Sequence, residues 1–130
     1  MRALLDTNVL IRGRYEAPAS VTETAISSVS YAELEFGLAR PDLDPVVRSE
    51  RRFELAEIRR HYGAGLPFDD RAAAYYGHII ESVYARGRNP RGRIADLMIA
   101  ATARAHDAVI VTHNAADFAG LERIVRILPA

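Results

Sequence analysis

Ala3-Leu4-Leu5-Asp6-Thr7-Asn8 is a short apolar run that stops abruptly on a carboxylate. A strand covered on both faces reads as a continuous apolar run, and open α/β sheets place their sites beyond the carboxyl ends of such strands. Asp6 stands at such an end. The same pattern recurs near the other terminus, where Ala108-Val109-Ile110-Val111 runs into Thr112-His113-Asn114-Ala115-Ala116-Asp117. Two buried strands of one sheet would deliver polar groups to one edge, which makes that edge the place to look for a metal site.

Outward from the first strand, Thr7 to Arg12 reads as a short helix with Asp6 as its N-cap, closed by Gly13 and a loop through Pro18. Thr24 to Ser28 is a brief strand. Ser30-Tyr31-Ala32-Glu33 reads as a capping box that opens a helix lasting to about Ala39. After a turn, Asp44 and Pro45 supply the N-cap and first position of another helix, in which Val47, Leu55, Ile58 and Tyr62 keep helical spacing. Leu66-Pro67-Phe68 is a candidate third edge strand. Asp69 or Asp70 caps the next helix, whose Ala72, Tyr75, Tyr76, Ile79 and Val83 form one apolar stripe, with Gly87 just past its end. The helix from Ile94 to His106 is apolar nearly all round after Asp96, the composition of a buried helix. The strand through Val111, a turn, a short helical piece near Leu121 and a last strand at Ile124 to Leu128 complete the chain. Without internal repeat or linker, residues 1–130 form one domain. The alternation of strands and helices predicts an α/β sandwich with a largely parallel sheet.

Composition removes several chemistries. Cysteine is absent, which excludes disulfides, thiolate zinc sites and cysteine nucleophiles and leaves oxygen and imidazole ligands. All 17 basic residues are arginine, and without lysine neither P-loop nucleotide binding nor Schiff-base catalysis is available. The formal net charge is zero, so affinity for nucleic acid must come from a local patch or a metal. No apolar run reaches membrane-spanning length and no signal-like segment precedes the first strand. A cytoplasmic location without membrane attachment is therefore expected.

Four carboxylates stand out, each with a structural alternative. Asp6 can N-cap a helix, Glu33 can complete the capping box with Ser30, Asp96 lies in a first helical turn where it interacts with the dipole, and Asp117 follows Asn114 like a cap partner. Those readings do not account for convergence. In a doubly wound sheet, strand ends and the helix starts after them lie on one edge, so Asp6, Glu33, Asp96 and Asp117 point toward one crevice. Carboxylates gathered in this way repel one another and take up protons unless a cation sits among them. Hard oxygen ligands, with no thiolate and no histidine pair at ligand spacing, select Mg²⁺ or Mn²⁺ over Zn²⁺. An acidic Mg²⁺ site that leaves room for water and phosphate oxygens describes a phosphodiester hydrolase.

Leu5-Asp6-Thr7-Asn8, Ser30-x-x-Glu33-x-x-x-Gly37, Asp96-x-x-Ile99-Ala100-Ala101-x-Ala103 with His106, and Thr112-x-Asn114-x-x-Asp117-Phe118 together resemble the PIN domain, in particular the VapC ribonuclease toxins of bacterial type II toxin-antitoxin modules. The resemblance spans essentially the whole chain, in order. It implies a three-layer α/β/α sandwich with a five-stranded parallel sheet in the order 3-2-1-4-5, and a metal-dependent endoribonuclease that cuts RNA, of the transfer or ribosomal class among related toxins. Carried over by position, Asp6 and Asp96 become the main Mg²⁺ or Mn²⁺ ligands, with Glu33 and Asp117 completing the cluster. Asn8, Thr112 and Asn114 orient ligands or water. It further implies a VapB-type antitoxin whose C-terminal segment covers the acidic groove, and a homodimer.

From Arg86 to Arg93 come four arginines, Arg86, Arg88, Arg91 and Arg93, without one acid. They lead straight into the acidic helix and can grip phosphates beside the metal, Arg93 foremost because it precedes Asp96 by three residues; the alternative is a solvated loop. A receiver-type or aspartate-nucleophile phosphatase site would call for a lysine that this chain lacks. A DNA nuclease of related fold and a non-catalytic RNA- or partner-binding module are the remaining alternatives.

Overall fold

β1 (Arg2–Leu5) and β3 (Ala108–Thr112) are the central strands, parallel, with Leu4 opposite Ile110 and Leu5 opposite Val111. The computed structural model describes residues 1–11 and 15–130. Side chains of the central pair alternate between two cores. Leu4 and Ile110 pack with Ile79 and Val83 of α4 (Asp70–Ala85) and with Leu97 and Ala101 of α5 (Ile94–Ala105). Ala3, Leu5, Val109 and Val111 pack on the other face with Val9 of α1 (Thr7–Ile11) and, at its margin, with Tyr62 of α3 (Pro45–Tyr62). This double cover is why both strands are apolar at successive positions rather than alternating. The predicted end of the first helix at Arg12 and the break at Gly13 lie outside the described residues.

β2 (Glu23–Ala25) pairs with β1, and β4 (Ile127–Pro129) pairs with β3, giving a parallel four-stranded sheet in the order β2-β1-β3-β4. The fifth strand expected at Leu66–Phe68 is reduced to one bridge, Ser27 to Leu66, beside β2. Leu66 N–H donates to Ile26 O at 2.8 Å and its carbonyl accepts from Ser28 N–H at 2.9 Å. Pro67 has no N–H with which to continue the ladder. Gly65 lies so close to the Ser27-Ser28 backbone that a Cβ would stand 2.7 Å from Ser28 N, so the chain touches the sheet edge here only at a point. The spatial order is otherwise the expected one.

α2 (Ser28–Leu38) is capped by Ser27, whose Oγ accepts from Ser30 N–H at 3.0 Å. The expected capping box of Ser30 with Glu33 is therefore not formed, and both residues sit in the body of the helix. Ser27, two residues past β2 and bridged to Leu66, already has the extended backbone a cap requires. Asp44 and Asp69 do cap α3 and α4, accepting from Val46 and Val47 N–H and from Ala72 N–H. α5 buries Leu97, Ile99 and Ala100 to Ala103, and its alanines allow α4 to pack closely. After β3 comes a 3-10 turn at Ala115–Phe118. Ile124 and Val125 N–H both return to Leu121 O, which seats Leu121 and Val125 in the core and delays β4 to Ile127, three residues after the expected start. Among the described residues no helix is long and apolar enough to cross a membrane.

Candidate active site

Asp6 extends β1 by one residue, its N–H donating to Val111 O at 2.9 Å, so the strand pairing itself delivers its carboxylate to the carboxyl edge. The residue is 3% exposed. Oδ1 accepts from Thr7 N–H at 2.8 Å, and Oδ2 accepts from the Thr112 hydroxyl at 2.8 Å. This is not N-capping in the usual sense, since neither Asn8 nor Val9 N–H is held by the side chain; Val9 N–H goes to the Asp6 carbonyl instead. Burial raises the carboxyl from its ordinary value, the bonds from Thr112 and Thr7 oppose that, and the charge of Asp117 adds to the rise.

Thr112 is fixed in turn. Its Oγ1 accepts from Asn114 N–H at 3.0 Å and from Asn8 Nδ2 at 3.3 Å, while Asn8 Oδ1 accepts from His113 N–H at 3.2 Å. The three polar residues expected to orient the site thus meet at one hydroxyl, Asn114 through its backbone only. Thr112→Val keeps the shape but removes the donor to a buried carboxylate. It is expected to cost about 1–2 kcal/mol of stability and about tenfold in any activity that depends on Asp6. Thermal melts and rate assays check this, and wild-type values in both would deny Thr112 a positioning role.

Glu33, in the second turn of α2, points back toward α1. Its Oε1 accepts from the Thr7 hydroxyl at 2.7 Å, and that hydroxyl lies 2.9 Å from the buried Ser30 Oγ. Burial, and secondarily the charge of Asp6, raise its carboxyl, while the Thr7 bond lowers it. In the sequence Thr7 stood within the Leu5-Asp6-Thr7-Asn8 motif but was given no role at the site, because its partners are 23 and 26 residues away.

Asp96 opens α5 from the facing layer. Burial is the largest influence on it, followed by the charges of Asp6, Asp117 and Glu33, and together they push its carboxyl up to about 6 against the pull of Arg93. All four acids therefore share one electrostatic neighbourhood. Among the described residues no three carboxylates or imidazoles already stand around a common point at ligating distance. The donor chemistry nevertheless fits a hard divalent cation: oxygens only, mutually repelling, with one arginine as the opposing charge.

The four loop arginines divide. Arg93 is half-buried beside Asp96, and its Nε has no hydrogen-bond partner although it is shielded from solvent. Arg86 ends α4 and its guanidinium lies over Gly120. Arg88 and Arg91 are exposed and line a separate shallow depression.

A parallel sheet with helices on both faces and four acids at its carboxyl edge defines a PIN-like α/β domain. Residues 3–124 match the PIN domain, and the chain belongs to that family. Within it the chain is VapC-like. The tRNA(fMet)-specific endonuclease VapC of Shigella flexneri is 32% identical over 126 residues, which cover 91% of this chain and 90% of that protein. The structure of VapBC-5 from Mycobacterium tuberculosis matches with a TM-score of 0.77 at 26% identity, covering 98% of this chain and 96% of that one. FitAcB from Neisseria gonorrhoeae matches with a TM-score of 0.76 at 28% identity, covering 97% and 96%.

Proposed function

We propose that the chain is the toxin of a VapBC-type module, a metal-dependent endoribonuclease that hydrolyses RNA phosphodiester bonds at the acid cluster. The observation that carries this is the neighbourhood of Asp6, Glu33, Asp96 and Asp117, in which Asp96 is held up to about 6 by burial and three like charges. Its VapC likeness gives the reaction class.

Asp6 and Asp96 are the main ligands for Mg²⁺ or Mn²⁺, and Glu33 and Asp117 complete the set. When bound, the cation polarises the phosphodiester and favours deprotonation of the attacking water. Thr112 and Thr7 N–H hold the Asp6 carboxylate in one orientation. Asn8 and Asn114 hold Thr112. Thr7 engages Oε1 of Glu33, leaving Oε2 to accept the proton of the water, and the raised carboxyl of Glu33 suits a proton acceptor. Arg93 pairs with a phosphate oxygen of the substrate, which would satisfy its buried Nε.

The antitoxin follows from the surface around Glu33. That residue separates two mainly apolar clefts, one of about 730 Å³ bordered by Phe36, Phe68 and Met98, and one of about 320 Å³ bordered by Leu10, Ile11 and Leu55. An apolar segment of a VapB-type partner filling both, with a basic side chain over Glu33, would block the acids. The reading also makes the toxin a cytoplasmic homodimer.

The experiment is incubation of the partner-free chain with total bacterial RNA, and separately with DNA, in Mg²⁺, Mn²⁺ or EDTA. Discrete RNA cuts that vanish in EDTA support the reading and their ends name the target. Cuts in DNA alone, or none in a folded chain, overturn it. Light scattering with and without a VapB-type partner tests the dimer and the complex.

A further inference from the structure

We infer that Tyr84, Gly87, Arg88, Asn89 and Arg91 form a subsite for a single-stranded nucleotide, which holds RNA beside the acid cluster. This deepens the endoribonuclease reading and rests on it for the class of ligand.

These five residues line a depression of about 430 Å³ at the end of α4, and no acid borders it. Tyr84 is 57% exposed there, a large aromatic surface left to solvent. Among the described residues neither Arg88 nor Arg91 makes an ion pair. An aromatic face with two uncommitted guanidiniums is the combination that stacks a base and grips the phosphates beside it.

The loop is built rather than loose. Gly87 has φ +72°, and its N–H donates to Tyr84 O at 2.9 Å while Arg88 N–H donates to Val83 O at 3.2 Å. This is a Schellman ending, which folds the chain back and brings Arg88 beside Tyr84. Asn89 Oδ1 then accepts from Arg91 N–H at 3.0 Å, and Pro90 is buried as it starts a 3-10 turn, Pro90–Arg93. The backbone under the depression is thus ordered by hydrogen bonds, and a loop ordered before binding loses less freedom when it binds. The 3-10 turn runs directly into α5, so the chain that carries Arg88 and Arg91 leads through Arg93 to Asp96.

The test uses a fluorescein-labelled 12-nucleotide RNA of mixed sequence and the whole chain in EDTA, with anisotropy read over a range of salt. Tyr84→Ala is expected to weaken binding about tenfold and Tyr84→Phe to leave it unchanged. Arg88→Gln with Arg91→Gln is expected to flatten the slope of log K against log salt by about 1.4. All three variants should keep the wild-type melting temperature, since the side chains are exposed. Affinity and slope equal to wild type in Tyr84→Ala and the double variant overturn the subsite, as does loss of VapB-type partner binding with RNA binding intact. The two readings separate in Mg²⁺: RNA cleavage that ignores these variants sinks the subsite alone. A Tyr84-dependent RNA complex that is never cut keeps the subsite and sinks the catalytic reading.

Discussion

Asp96→Asn is expected to abolish RNA cleavage, by about 10³-fold or more, and at the same time to make the metal-free chain more stable near neutral pH. The two effects have one cause. Asp96 is held among three other carboxylates and partly buried, and an amide keeps its shape while removing a charge that burial and repulsion both oppose. Loss of a main ligand removes several kcal/mol of transition-state stabilisation, at about 1.4 kcal/mol per factor of ten. Asp6→Asn should lose cleavage to a similar degree but change stability in the opposite direction. Both Asp6 oxygens accept hydrogen bonds, from Thr7 N–H and from Thr112. An amide nitrogen there meets either an N–H or a hydroxyl oxygen that already accepts from Asn114 and Asn8. Rates with Mg²⁺ and melts in EDTA measure both variants. Equal stability losses would show that Asp96 is bonded rather than strained, and wild-type cleavage by either variant would remove it from the site.

That contrast was not legible in the sequence, although the four acids were. The apolar runs at Ala3 to Leu5 and Ala108 to Val111 announced the central strands because both faces are covered and no polar position interrupts the pattern. Asp44 with Pro45, and Asp69, announced helix starts through local chemistry alone. Ser27, Ser28 and Ser30 offered several caps, and tertiary structure chose among them. Ser27 leaves a strand in extended conformation, while Ser30 is buried against Thr7. With the cap assigned to Ser27, Glu33 loses the local role that made it look structural and becomes free to face Asp6. The reduction of the fifth strand had its signal in Gly65 and Pro67, but only the distance from Gly65 to the Ser27-Ser28 backbone shows why the contact stops at one bridge. The hydroxyl chain from Thr7 to Glu33 joins residues 26 apart, which no spacing rule connects.

The acid cluster also reverses the ordinary response of a protein to pH. Asp96 has a folded value of about 6, above the roughly 3.9 of an unfolded aspartate, so between those values the folded state binds more protons than the unfolded one. Stability contributed by this group is therefore present below about pH 4, is lost as pH rises toward 6, and its loss is complete above that. Asp6 and Glu33 are raised as well and act in the same direction. The metal-free chain is expected to lose about 1–2 kcal/mol between pH 4 and pH 8, after allowance for the partial exposure of Asp96. That corresponds to several degrees in melting temperature for a chain of 130 residues. Millimolar Mg²⁺ or Mn²⁺ should recover the loss at pH 8, because a ligand of the deprotonated carboxylates stabilises the folded state in proportion to its occupancy. At pH 4.5 the same addition should do little, since protons hold the site. Melts across pH, with and without the cation, decide the matter, and Asp96→Asn should show both a flatter pH curve and a smaller cation effect. A wild-type curve that rises steadily toward pH 8 in EDTA, or a cation effect that ignores pH, would mean that the four acids do not form one coupled site.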